Sequence, residues 1–265
     1  MSRQARVADA SRSIDLADLE LAHRAAREAG QLLIARFRHP ASRVDRKSSS
    51  TDMVSDADRI AESAIAYLLE SERPDDGVLG EEGARAPGST GRRWVVDPLD
   101  GTTNFLYGIP QWAVSVAVED GDGVAAGVVR DPVRDETFAA ARGAGATLNG
   151  EPIALREPPR LARALIATGF SYDSGTRAAQ GETLRSVLPH VRDIRRAGAA
   201  SLDLAWLAAG RLDGYYERGL KPWDWAAGRL LVAEAGGQVA ELDGDPQGLA
   251  AASPELLPQL LELLT

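Results

Sequence analysis

The run from Trp94 to Phe105, Trp-Val-Val-Asp-Pro-Leu-Asp-Gly-Thr-Thr-Asn-Phe, constrains this chain more than any other stretch. A hydrophobic strand delivers two carboxylates, Asp97 and Asp100, into a glycine turn followed by hydroxyl and amide side chains. Around it the pattern alternates. Leu16, Leu19, His23, Ala26, Gly30, Leu33 and Phe37 recur at helical spacing and predict a helix over about residues 15–38. A second helix is expected over Asp56 to Glu72, with Ile60, Ala64, Tyr67 and Leu68 on its apolar side. Short strands follow at 78–80, 94–96, 114–119, 124–129 and 136–140, and Gly143 to Gly150 reads as a hairpin. The second half predicts strands at 164–168, 213–216 and 238–240, with helices at 176–188, 201–209, 224–235 and 254–263. The expectation is a layered α/β (α+β) fold. Residues 1–13 are expected to form a disordered tail and residues 14–265 a single domain of two packed lobes, roughly 14–150 and 151–265.

Composition narrows the chemistry by exclusion. With no cysteine there is no disulfide, thiolate zinc site or cysteine nucleophile, and three scattered histidines argue against a histidine-built metal site. A net charge of −9 argues against broad nucleic-acid binding. No apolar run is long enough to span a bilayer and the N-terminus lacks a hydrophobic signal core, so a cytoplasmic protein is expected. Gly83 to Gly88 has the spacing of a phosphate loop, but Ser89 stands where lysine is required. The catalytic equipment is left to Asp, Glu, Thr, Lys and backbone.

Four acidic clusters stand at the edges of expected elements: Asp52/Asp56/Asp58, Glu81/Glu82, Asp97/Asp100 and Asp224. Magnesium takes oxygen ligands, usually one or two carboxylates per ion, and keeps waters that a substrate phosphate displaces. Two such ions about 4 Å apart can activate a water and stabilise a leaving oxygen. Asp97 and Asp100 on one turn suit neighbouring ions, Pro98 stiffens the backbone between them, and the Leu99 carbonyl would point at metal. A helix starting at Gly101-Thr102 would offer free amides to a phosphate. Thr102 is placed to orient the attacking water and Glu81 to take its proton. Taken singly each residue has a plainer role. Asp-Pro and Asp-Gly are common turn pairs, Asp58 suits a helix first turn, Asp224 an N-cap, Trp223 and Trp225 a core, and Lys47 the surface. The set as a whole favours the metal site.

From Leu16 to the C-terminus the chain resembles the inositol monophosphatase family of magnesium-dependent, lithium-sensitive phosphatases. The resemblance rests on Asp52 to Asp58, Gly80-Glu81-Glu82, Trp94 to Phe105, Arg196-Ala197-Gly198, Gly214 to Glu217 and Trp223 to Gly228. It implies an αβαβα sandwich of the inositol monophosphatase/fructose-1,6-bisphosphatase type, usually a homodimer. It also implies two or three Mg2+ ions per site. Glu81, Asp97 and the Leu99 carbonyl would hold the first, Asp97, Asp100 and Asp224 the second, and Asp58 would lie near a weaker third. Gly101 and Thr102 amides would contact phosphate. Glu217 with the Gly198–Ala199–Ala200 backbone would meet sugar hydroxyls, and Lys47 and Asp52 would support the third-metal loop. Ala199 departs from relatives that carry Ser or Thr there, and Lys221-Pro222 from those with histidine. The implied reaction is phosphomonoester hydrolysis by a metal-activated water, with myo-inositol 1-phosphate as leading substrate. Histidinol phosphate and fructose 1,6-bisphosphate are alternatives. A regulatory or RNA-associated protein on the same scaffold is the alternative from another class.

Overall fold

The computed structural model describes residues 3–39, 44–46 and 53–264. The helix α1 (Arg3–Ile34) is followed by the short pair β1 (Val44–Arg46) and β2 (Met53–Ser55), then α2 (Asp56–Glu72). Next come β3 (Gly77–Gly80), β4 (Arg85–Ala86), β5 (Arg93–Asp100), the five-residue α3 (Thr102–Leu106), β6 (Ala113–Asp120), β7 (Gly123–Asp131), β8 (Glu136–Ala141), β9 (Gly145–Leu148) and β10 (Glu151–Ile153). The remainder is β11 (Leu165–Thr168), α4 (Ser174–Val187), β12 (Asp193–Arg195), α5 (Ala200–Ala208), β13 (Gly214–Arg218), α6 (Pro222–Glu234), β14 (Gln238–Leu242), β15 (Gly248–Ala252) and α7 (Leu257–Leu264). None of the described helices is long and apolar enough to cross a membrane.

Two sheets organise the chain. One has eight strands in the order β10-β9-β8-β7-β6-β5-β3-β4, antiparallel except where β3 runs parallel to β5. The other has five, β12-β11-β13-β15-β14, with β11 parallel to both β12 and β13. Strand alternation sorts the side chains into layers. Trp94 and Val96 pack with α1 and α2 on the outer face, whereas Val95 faces α5 and α6. In the second sheet Tyr215 and Ala251 face that same helical layer, and Tyr216, Ala250 and Ala252 face α7. The order of layers is therefore αβαβα, with α5 and α6 sandwiched between the sheets.

Several expectations shift. The backbone of residues 3–13, expected as a tail, continues α1; Gln4, Ala5, Arg6 and Ala8 are good helix formers and no breaker interrupts them. The buried side of α1 is an alanine stripe, Ala22, Ala25, Ala26 and Ala29 with Leu33, while Leu16 is exposed. The helix is held from below by buried Asp15 and Asp18. Arg92 reaches Asp15 at 2.8 Å and Asp18 at 3.0 Å, and Arg73 reaches Asp18 at 2.8 Å. On α2 the buried face is Ala57, Ala61, Ile65 and Leu69; Ile60 and the 76%-exposed Tyr67 point outward. Strands β12 and β15 were not expected. β15 reads Gly-Leu-Ala-Ala-Ala, a helix-favouring composition overridden because it fills the gap between β13 and β14.

Candidate active site

Side chains three apart on a regular strand point to opposite faces. Asp97 and Asp100 escape this because β5 is bulged. Asp97 pairs with Ser115 and Asp100 with Ala113, so three steps on β5 oppose two on β6. Pro98 lies inside the bulge, where its missing N–H leaves no ladder bond broken, and the Leu99 N–H donates to the Asp97 carboxylate at 3.0 Å. Both carboxylates then face the α5–α6 layer while Leu99 turns into the outer core. The extra residue moves a strand-alternating pair onto one side.

Gly101 follows at φ 94°, and a Cβ there would stand 3.0 Å from the Gln111 carbonyl, so only glycine makes this turn without strain. It places Thr102 at the first position of α3. Phe37, Phe105 and Trp112 brace the turn, with ring centroids 5.1–5.5 Å apart, each buried aromatic contributing about 1.5–3 kcal/mol. The Thr102 hydroxyl lies 2.9 Å from Asp58 Oδ1 and 3.1 Å from the Leu99 carbonyl. Asp58 is itself fixed: it is the third residue of α2, and its Oδ2 accepts from the Ser55 N–H at 2.9 Å and hydroxyl at 2.5 Å. The capping box of α2 thereby orients Thr102. Asn104 donates to the Gln111 carbonyl at 2.7 Å and the Ala197 carbonyl at 2.9 Å, tying the turn to the segment before α5.

Glu81 follows β3, and its N–H extends the parallel pairing by donating to Val96 at 3.1 Å. Its turn is held by Glu62 of α2, which accepts from the Glu82 and Ala84 amides at 2.8 Å each. A Cβ on Gly80 would lie 2.3 Å from the Glu62 carboxylate, so glycine is what lets that carboxylate in.

Asp100 does a second task. Its Oδ2 accepts from the Ser201 N–H at 2.7 Å and hydroxyl at 2.6 Å, at the start of α5. The N-cap of α5 is Ala199, which has no side-chain hydrogen bond to offer, so a carboxylate from another strand caps the helix. The plainer role open to Asp224, taken alone, was an N-cap of α6. The helix instead begins two residues earlier, with Pro222 at its first position, and Asp224 reaches back to accept from the Lys221 N–H at 2.6 Å.

These acids sense one another. Burial pushes the Asp97 carboxyl well above the usual range, and the charges of Glu81, Asp100 and Asp224 push it further. Asp224 is raised by burial, then by Asp100 and Glu81. Asp100 rises to about 6 through burial, which the Ser201 hydrogen bonds partly offset. Such mutual repulsion is what a divalent cation relieves. Among the described residues no three acidic or histidine side chains close around a single point, so carbonyl, water and ligand oxygens would have to complete a coordination shell. That fits magnesium, which retains several waters. The Leu99 carbonyl lies 3.1 Å from the Thr102 hydroxyl, as a backbone oxygen beside these acids.

Beside this cleft Glu217 on β13 lies against the Gly169 backbone. Tyr215 donates to its Oε2 at 2.6 Å, and burial, opposed by that bond and by the Arg196 charge, raises its carboxyl to about 7. The Gly198–Ala200 segment carries Gly198 at φ 93° and buried Ala199 and Ala200. The structure thus draws together Glu81, Asp97, Leu99, Asp100, Gly101, Thr102, Asp58 and Asp224, with Ala199 and Ala200 abutting through Ser201. Lys47 and Asp52 lie outside the described residues. Sequence reasoning missed Ser55, Glu62, Asn104 and Ser201, each of which positions another residue; the Ser55-x-x-Asp58 spacing was the one local clue.

A sequence model of the inositol monophosphatase family matches residues 16–264. An inositol-1-monophosphatase of Rhizobium meliloti is 48% identical over 204 residues, covering 76% of this chain and 77% of that protein. A protein named Nus factor SuhB from Pseudomonas aeruginosa is 43% identical over 237 residues, covering 87% and 88%. Among solved structures, extragenic suppressor protein suhB from Bartonella henselae superposes with a TM-score of 0.89 at 40% identity, covering 94% of this chain and 98% of that one. The inositol monophosphatase from Anabaena superposes at 0.81 and 32%, covering 94% and 95%.

Proposed function

The chain belongs to the inositol monophosphatase family, and on that premise we propose that it is a magnesium-dependent phosphomonoesterase acting on myo-inositol 1-phosphate or a similar small polyol phosphate. The observation that carries the reading is the β5 bulge, which turns Asp97 and Asp100 to one side, within electrostatic reach of Glu81 and Asp224. Glu81, Asp97 and the Leu99 carbonyl would hold one ion; Asp97, Asp100 and Asp224, which do not converge on one point without it, would draw in around another, with waters completing the shell and Asp58 beside a third. When bound, the ions supply Lewis-acid stabilisation of charge on the phosphate and on the departing alkoxide.

The rest falls to the chain. Asp58, anchored through Ser55, accepts a hydrogen bond from the Thr102 hydroxyl and leaves the Thr102 oxygen lone pairs to orient a water. Glu81 takes the proton from that water as it attacks phosphorus in line. Gly101 and Thr102 amides at the start of α3 meet the phosphate oxygens. Glu217, with Oε2 engaged by Tyr215, presents its other oxygen to a hydroxyl of the leaving alcohol, and the Gly198–Ala200 backbone lines the same side. The protein works as a cytoplasmic homodimer.

The experiment is phosphate release with magnesium and with EDTA from inositol 1-phosphate, histidinol phosphate and fructose 1,6-bisphosphate. Magnesium-dependent turnover led by inositol 1-phosphate supports the reading. Leadership by another ester reassigns the substrate, and silence across the panel from folded, metal-loaded protein refutes the enzyme.

Relatives named Nus factor SuhB, such as that from Pseudomonas aeruginosa, favour a second reading, a regulatory or RNA-associated role beside or instead of catalysis. It predicts that Asp97→Asn, with turnover abolished, still complements deletion of the gene; failure to complement removes it.

A further inference from the structure

The cleft gathers the carboxyls of Glu81, Asp97, Asp100, Asp224 and Glu217. A further buried carboxyl, Asp203 on α5, lies within reach of Asp100 and Glu217. Among the described residues Arg196 is the cation whose charge acts on both Asp203 and Glu217. Its side chain is exposed yet directed. The guanidinium stands over the Phe170 ring at 6.0 Å, Nη2 donates to the Phe170 carbonyl at 3.4 Å, and Nη1 lies 2.4 Å from where a Gly198 Cβ would project. Phe170 follows the Gly169 on which Glu217 rests, and Gly198 opens the segment that lines the alcohol side of the cleft. Arg196 therefore sits at the alcohol end of the site. No ion pair within 4.0 Å engages it among the described residues, unlike Arg92, Arg73 or Arg211. Among the described residues its hydrogen bond to the Phe170 carbonyl is long, so most of its five donors are open.

We propose that Arg196 is a specificity-determining residue that receives a second anionic group carried by the leaving alcohol, so that it contributes more to turnover of bisphosphates of small polyols or sugars than to turnover of monophosphates with neutral alcohols. This deepens the phosphomonoesterase reading and rests on it. A guanidinium binds phosphate through paired, charge-assisted N–H···O bonds, which lysine replaces only in part. Beside the carboxyls of Asp203 and Glu217, which repel a second phosphate, Arg196 is the group that attracts one. A neutral polyol has no such need and is served by Glu217.

The test compares kcat/KM for fructose 1,6-bisphosphate and inositol 1-phosphate in wild type, Arg196→Gln and Arg196→Lys, each at saturating magnesium, with melting temperature as a folding control. The proposal predicts that Arg196→Gln loses at least about tenfold more on the bisphosphate than on the monophosphate. Arg196→Lys should recover part of the difference, and the discrimination should shrink as ionic strength rises. Equal losses on the two substrates, or a larger loss on inositol 1-phosphate, would make Arg196 a counter-ion for Glu217 and overturn the proposal. Wild-type protein that turns over neither substrate fails earlier, at the phosphomonoesterase reading itself.

Discussion

Removing divalent cations should make the stability of this protein strongly pH-dependent, in a direction opposite to ordinary acid denaturation. Asp100 has an ordinary value of 3.8 and stands at about 6 in the folded chain, and Glu217 moves from 4.5 to about 7. Both are raised, so the stability they contribute is fully present below the unfolded values and is lost as pH climbs through the folded ones. At about 1.36 kcal/mol per unit, ionising them costs the folded state about 3 kcal/mol each by pH 8. Between pH 8 and pH 5 roughly 4 kcal/mol of this is relieved, which for a chain of this size is about 8–16 °C in melting temperature. Surface carboxylates held low by hydrogen bonds or arginines, such as Asp173 and Asp193, titrate below that window. His23, lowered by burial, acts in the opposite sense below pH 6.5 but equally with and without metal. The assay is calorimetric melting from pH 5 to pH 8 in EDTA and in magnesium. In EDTA the melting temperature should rise on acidification, and the increment added by magnesium should be largest at pH 8 and shrink toward pH 5. A magnesium increment independent of pH, or a metal-free protein that only loses stability on acidification, would refute the electrostatic account of the cleft.

Two substitutions test how the site is positioned. Gly80→Ala drives a methyl into the Glu62 carboxylate and frees the Glu82 and Ala84 amides. About 3 kcal/mol of stability should go with the two charge-assisted bonds, and kcat should fall at least about tenfold as Glu81 shifts, read by denaturant melts and steady-state kinetics. Asp58→Asn keeps the shape of the α2 cap but turns an acceptor of three hydrogen bonds into a mixed donor and acceptor. Thr102 loses its fixed orientation, so kcat should drop about 10²-fold with a change in melting temperature of only a few degrees; a large melting shift with kcat intact would reassign Asp58 to structure alone.

The turn from Asp97 to Asn104 was legible because its signal is local. The Asp-Pro-Leu-Asp-Gly-Thr-Thr-Asn string announces a turn with carboxylates and hydroxyls, and α2 has the bounds expected of it, Asp56 to Glu72. The αβαβα layering came from the family resemblance, and the structural neighbours share it. What escaped depends on partners distant in sequence. The three-residue spacing of Asp97 and Asp100 gives opposite faces until the two-residue step on β6 is known. Nothing beside Ala199 announces that Asp100, on another strand, caps α5. The side of α2 that faces inward was misjudged because Ile60 and Tyr67 are apolar yet exposed, while Glu62 is turned in to hold the Glu81 turn. Alanine-rich β15 shows the same override, since its place between β13 and β14, not its propensity, makes it a strand.

The most direct test of the carboxylate cleft as a metal-dependent hydrolytic centre pairs two readings on one sample. Magnesium binding is followed by calorimetry and phosphate release from inositol 1-phosphate is measured in parallel, for wild type and Asp97→Asn. The account predicts that release follows magnesium occupancy in wild type, and that Asp97→Asn, still folded, loses tight binding and turnover together. Turnover that persists in EDTA, or in Asp97→Asn at wild-type rate, would contradict it.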